Sequence, residues 1–392
     1  MINFCFDSLG QYNIGYPNLA KPDLAPDEFD TTWPYIIPNR LQVYFKTAGI
    51  PVKCHLVDSA PNGSWYPISI GWHEIECDYL SMLSATTLSR LRLRQIKLLF
   101  YYHEGDNPVR IKEKLSGLCV KHDVPMDCYL FVSANSSARN IEQFYFFSDH
   151  EHFFKFLNTE QTAVTADNNP RPHVFTALNR THKWWRASCM SQLHHEGLLD
   201  NSLWSYNTDC VVKDDEYVNN PIEVTKYDRD IMDTFLQNGP YYCDSDNADE
   251  HNDHRFIPEY LYTKSYCNLV FETLLDADQS QGAFVTEKTY KCMKFGQPFI
   301  IIGTAGSLEL LRNDGYRTFD NVIDNSYDTI QDSNKRWWKI KSVIEQIKQE
   351  DLHTWYTRCL PDILHNQQVF NQHISQSIQD LATVLTTHWD FV

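Results

Sequence analysis

The residues with the clearest chemical potential lie together. They are Phe284-Val285-Thr286-Glu287-Lys288-Thr289-Tyr290-Lys291, followed by Gly296-Gln297-Pro298-Phe299-Ile300-Ile301-Ile302-Gly303. A threonine placed to cap a helix leads into a Glu-Lys pair. A glycine ends the helix, and an apolar run reads as a buried strand closing on a second glycine. On a first helical turn, free backbone N–H groups and the helix dipole favour an anion. Lys288 is the type of residue that meets a phosphate, and Glu287 can accept hydrogen bonds from a sugar diol. A nucleotide-sugar offers both partners. The plainer reading is an ordinary αβ unit with a solvated Glu-Lys pair.

The elements that must position these residues fall into two series. In the first, Ile2–Asp7, Val52–Val57, Trp65–Ile70, Ile96–Tyr102, Tyr129–Val132 and Phe144–Phe147 read as strands. Helices are expected over 38–47, over Tyr79–Gln95 with Leu80, Leu83, Leu88 and Leu91 as its stripe, and from the Asn107-Pro108 start. The polar, proline-containing stretch 162–172 reads as a linker. A second series follows: a strand at His173–Leu178, a helix near Lys183–Glu196, strands near Leu203–Tyr206 and Asn268–Phe271, then the Glu-Lys segment. From Ser333 the pattern is helical to the end. The expectation is an α/β fold with two Rossmann-like domains, 1–165 and 173–350, a cleft between them, and C-terminal helices over 351–392 packing near the junction. In such sheets ligands bind beyond the carboxyl ends of the strands.

Size and composition narrow the class. The chain has 392 residues, 42% of them hydrophobic, enough for two ordinary domains. No stretch approaches the roughly 20 apolar residues of a membrane span, and the start reads as a strand, not a signal peptide. The 11 cysteines are scattered without a CxxC, which fits reduced thiols in a cytoplasmic protein. The net charge of −17 weighs against a nucleic-acid partner without excluding a local basic groove. The basic run Arg90, Arg92, Arg94 and Lys97 reads as a solvated helix end. The acidic loop 244–254 has the residue types of a metal site but lacks EF-hand spacing, so no metal site is assigned.

The order Leu269-Val270-Phe271-Glu272, then Phe284-Val285-Thr286-Glu287-Lys288, then the Gly296–Gly303 strand resembles the C-terminal half of the family 10 glycosyltransferases, the GDP-fucose-dependent α1,3/4-fucosyltransferases. The resemblance covers about 174–320. It departs at Thr273, where that family has asparagine. Leu178-Asn179 followed by Arg186 is similar to the family's strand–Asn–turn–Arg–helix opening, with Arg180 a rival for the arginine. The segment Leu99–Pro108 resembles the family's strand ending in a Gly-Glu-Asn turn. The resemblance implies a GT-B fold and a bacterial or phage member, because eukaryotic members carry a membrane anchor. It also implies metal-independent, inverting transfer of a sugar, fucose from GDP-fucose favoured, to a glycan or other hydroxyl acceptor. The donor is a substrate, and no cofactor is implied.

The roles that follow are these. Arg186 and Lys288 would meet the diphosphate, with Asn179, Arg180, Glu272, Thr286 and Glu287 on the donor side. Glu104 would take the acceptor proton, with His103, His73 and Glu74 on the acceptor side. Each has a plain alternative: Glu104 as a turn acid, Arg186 as a surface residue, Glu272 as a structural acceptor, Trp184 and Trp185 as core. Two other functions stay open. One is a viral DNA-base glycosyltransferase, and the other is a non-catalytic nucleotide-sugar-binding protein.

Overall fold

The structure is a computed structural model that describes residues 1–7, 41, 44–45, 48–70, 77–157, 166–208, 221–243, 259–276 and 281–387. The expected helix over 38–47 lies largely outside them. His73, Glu74 and the acidic loop 244–254 lie wholly outside them. The chain divides into two compact units. One comprises residues 1–152 and 372–392, and the other residues 153–371.

The first unit carries a parallel six-stranded sheet in the order β2-β1-β3-β4-β5-β6. Its strands are β1 (Ile2–Phe6), β2 (Val52–Leu56), β3 (Ser64–Ser69), β4 (Ile96–Tyr102), β5 (Tyr129–Ser133) and β6 (Phe144–Phe146). Every residue of β4 is buried. Lys97, read from the sequence as part of a solvated helix end, is buried in this strand, and from Leu98 to Tyr102 the run is aliphatic and aromatic, as a parallel strand covered on both faces requires. Leu98, Phe100 and Tyr102 join Leu91, Ile111 and Leu115 in one core. These come from α1 (Ala85–Arg92) and α2 (Pro108–Lys121), and α3 (Asp149–Leu157) follows β6. As the Asn-Pro pair predicts, the Asn107 side chain accepts from Val109 N and Pro108 takes the first turn of α2.

The expected helix over Tyr79–Gln95 is two pieces. A 3-10 turn over Tyr79–Met82 is capped by Asp78, and α1 is capped by Ser84. The physical cause is Asp7, at the carboxyl end of β1. Its carboxylate accepts from Ser84 N (2.9 Å), Ser84 Oγ (2.5 Å), Tyr66 Oη (3.1 Å) and the Thr87 hydroxyl. That anchorage resets the chain at Ser84.

The second unit carries a parallel four-stranded sheet in the order β10-β9-β7-β8. Its strands are β7 (His173–Asn179), β8 (Leu203–Tyr206), β9 (Ser265–Phe271) and β10 (Phe299–Ile302). Its helices are α4 (Trp184–His195), α5 (Lys226–Asn238), α6 (Tyr260–Thr263), α7 (Glu287–Phe295), α8 (Ser307–Asn313) and α9 (Ser333–Gln349). The chain leaves β7 to build β8 on one side and β9 on the other, so β7 and β9 flank the point where the winding reverses. Arg171, inside the stretch read as a linker, is buried and donates to Tyr262 O (2.7 Å) and Ser265 O (2.8 Å).

A single helix, α10 (Leu352–Thr387), runs through Pro361 where several C-terminal helices are expected. Its last turns belong to the first unit, where Trp65 Nε1 donates to Leu385 O at 2.8 Å. No helix among the described residues is long and apolar enough to cross a membrane. Two Rossmann-like parallel sheets with a long C-terminal helix are thus the fold class that the alternating pattern predicts.

Candidate functional site

The winding reversal of the second sheet opens a pocket of about 210 Å³. Leu178 and Val270 contribute strand ends, Arg180, Thr181 and Arg186 the turn and first turn of α4, and Glu287, Lys288 and Lys291 the first turns of α7. Four of the lining side chains are cationic and one is a carboxylate. The whole chain has a net charge of −17, so this concentration of positive charge runs against its average.

Helix ends add to it. The N-cap residues of α4 and α7, Lys183 and Thr286, make no side-chain capping bond to the first backbone N–H groups of their helices. By contrast, α1, α2, α5 and α9 are each capped by the side chain of the residue just before them. The amides of α8 are held by Asp328, which accepts from Leu308 N and Glu309 N at 3.0 Å. Two helices therefore bring uncapped, partly positive ends to one pocket.

Arg186 is fixed from three sides. It is 4% exposed and donates to Thr181 O (3.2 Å), Phe271 O (3.3 Å) and Glu272 O (2.6 Å). Its guanidinium stands 5.2 Å over the Trp185 ring, which stacks on Phe271. Nε has no partner among the described residues. Burial pushes the Arg186 pKa down, and Tyr206, Glu272 and Glu287 act against that. An arginine nonetheless stays charged, so this is a rigid cation with a donor to spare.

Lys288 donates to Thr273 Oγ1 (3.2 Å) and Thr286 Oγ1 (3.0 Å) and lies 3.5 Å from Glu287. Thr273 also accepts from Lys183 Nζ through its carbonyl at 3.0 Å. The position where the resembling family has asparagine thus steadies two lysines.

Glu272 and Thr286 sit behind the pocket, not in its lining. Glu272 is fully buried and accepts from Thr286 N (3.1 Å), Thr286 Oγ1 (2.6 Å) and Thr289 Oγ1 (2.7 Å). The sequence suggests that Thr286 caps α7 with its own hydroxyl. Instead the Glu272 carboxylate, from the end of β9, holds the helix start. Glu272 therefore aims Glu287 and Lys288 without touching the pocket. Asn179 ends β7 with a 1% exposed side chain whose Oδ1 and Nδ2 have no partner among the described residues.

Lys291 is the lining residue that sequence reasoning passed over. It lies four residues after Glu287 and three after Lys288, so helical spacing puts all three on one face. Thr181, Tyr262 and Asn268 also line the pocket and carry no sequence signal of that role.

The acceptor-side candidates belong to the first unit. Glu104 follows β4, 22% exposed, with its Oε1 3.4 Å from His103 Nε2. The turn around it is tied down: the His150 ring lies 2.8 Å from His103 O, and Asn135 Nδ2 donates to Gly105 O at 2.8 Å. Asp106 is engaged by the Tyr102 hydroxyl. At this unit's own winding reversal, between β1 and β3, Asp7 fills the strand end with a carboxylate already bonded. The anion-favouring reversal is in the second unit.

No protein-family model matches the chain. No curated protein matches it either. Among solved structures it is similar to that of the DNA-modifying enzyme β-glucosyltransferase, determined with and without its substrate uridine diphosphoglucose. The TM-score is 0.42 at 9% identity, over 98% of this chain and 99% of that one.

Proposed function

We propose that the chain is a glycosyltransferase that takes a nucleotide-sugar and holds its diphosphate in the pocket between β7 and β9. One observation carries this reading. Arg180, Arg186, Lys288 and Lys291 converge with two uncapped helix ends at the winding reversal of a parallel sheet. A diphosphate is the ligand that such a set satisfies, because it offers several anionic oxygens to forked and point-like donors at once. Glu287, the one carboxylate in the lining, has no use for phosphate and suits the hydroxyls of a ribose or sugar.

In transfer, the bond between the anomeric carbon and the diphosphate oxygen breaks and its electron pair stays on that oxygen. Lys288 and Arg186 would stabilise this growing charge. The acceptor hydroxyl forms the new bond to the anomeric carbon and gives its proton to a base, a role proposed for Glu104. The motif resemblance favours GDP-fucose as donor, with inversion in a single displacement.

The test is isothermal titration of the full chain with GDP-fucose, UDP-glucose and other nucleotide-sugars, with release of nucleoside diphosphate measured alongside acceptor candidates. Saturable binding of one donor supports the reading. Failure of every nucleotide-sugar and nucleoside diphosphate to bind would overturn it. Binding without any turnover would leave a nucleotide-sugar-binding protein and remove the transferase.

A further inference from the structure

We propose that Lys291 is a ligand of the terminal phosphate, and that through it the pocket holds the departing nucleoside diphosphate more tightly than the intact donor. This rests on the donor reading above and names which end of the reaction the site favours.

Lys291 is 8% exposed, lines the pocket, and stands one turn beyond Glu287 and Lys288 on α7. Among the described residues its ammonium has no hydrogen-bond or ion-pair acceptor. Lys341 makes the contrast. It is equally buried, but it pairs with Glu196 at 2.5 Å and Glu345 at 3.8 Å. A buried cation with no anion is costly, and a structural lysine in such a place is normally paired. The charge that Lys291 lacks is one a ligand would bring.

The charges around it agree. Lys288 and Arg180 repel Lys291, and Glu287 is the carboxylate that attracts it. Burial first, then Arg180 and Lys288, bring the Lys291 pKa down to about 8 against the opposing pull of Glu287. Cys292, beside it, is held in the thiol form by burial. Arg186 and the Tyr262 side complete the wall. Breaking the sugar–phosphate bond leaves a terminal phosphate with about one more negative charge than the ester carried. A site with a surplus of positive charge gains most from that extra charge. Stronger interaction with the leaving group than with the bound donor is what accelerates the chemical step.

The sign with pH follows. An anion beside Lys291 favours its protonated form, so binding takes up a proton where the free site is partly neutral. The contribution of Lys291 to affinity is full below about pH 8 and is lost as pH rises above that value.

The experiment is isothermal titration of the full chain with inorganic pyrophosphate, GDP, UDP and GDP-fucose. It is run at about pH 7 and about pH 9, in buffers of different ionisation enthalpy so that protons are counted. For the wild type, proton uptake is expected with pyrophosphate or nucleoside diphosphate at the higher pH. Lys291→Met should lose that uptake and bind nucleoside diphosphate roughly tenfold or more weakly, with a smaller loss for the intact donor. Lys291→Arg should regain affinity without the uptake. A melting curve for each variant separates lost binding from lost folding. If the wild type binds diphosphate and Lys291→Met binds it with equal affinity and proton count, this inference falls and the donor reading stands. If the wild type binds no diphosphate at all, both fall.

Discussion

Glu272→Gln should loosen the start of α7 and weaken diphosphate binding, although Glu272 is not among the residues that line the pocket. The carboxylate receives three donors: Thr286 N and Thr289 Oγ1 on Oε1, and Thr286 Oγ1 on Oε2. The amide keeps one carbonyl for the first two. At the other oxygen an NH₂ then faces a hydroxyl that already accepts from Lys288 Nζ at 3.0 Å. The Thr286 hydroxyl must turn its proton away, at a site 1% exposed. An unsatisfied buried donor costs about 1–3 kcal/mol, and the charged character of the remaining bonds is lost as well. Arg186, buried nearby, also loses a countercharge. A total of about 2–3 kcal/mol follows, which for a unit of this size lowers the melting temperature by about 4–12 °C. Hydrogen exchange localises the effect: amides of 284–296 should exchange faster while those of β4 do not. Pyrophosphate affinity should fall in parallel. Unchanged melting together with unchanged protection of α7 would refute the idea that Glu272 holds this helix.

Three other outcomes are expected. Lys288→Ala should weaken nucleoside diphosphate binding by about 1.5–3 kcal/mol in titration calorimetry, and an unchanged Kd would remove Lys288 from the site. Glu104→Gln should lower turnover about 10²–10⁴-fold with donor affinity retained. Normal turnover would move the base elsewhere, and collapsed donor affinity would make Glu104 a donor-side or structural residue. Gly296→Ala should destabilise the second unit by about 1–3 kcal/mol in thermal melting. Gly296 has φ +66°, and an added Cβ would lie 2.8 Å from Ala166 Cβ. A melt equal to wild type would mean that the left-handed turn after α7 is not needed.

The sequence by itself determined the fold class, because the signals involved are local. From Leu98 to Tyr102 the β4 run is apolar without alternation because both of its faces are covered, and the strand is buried throughout. Asn107-Pro108 marks a helix start, and Gly296, in the left-handed region, marks the end of α7. The capping box Thr225–Asp228 that opens α5 was equally present in the chain, though no helix is assigned there above.

The tertiary structure decided what depends on partners distant in sequence. The helix expected over Tyr79–Gln95 is cut at Ser84 by Asp7, 77 residues away. Thr286 gives its hydroxyl to Glu272 and not to its own helix. Spacing along one helix face could have suggested Lys291. Only the strand order that seats β7 against β9 brings it into one pocket with Arg180 and Arg186. A motif fixes which groups share a turn of helix. Which charges face one another across a pocket is set by how the strands pair, and that pairing is a property of the whole sheet.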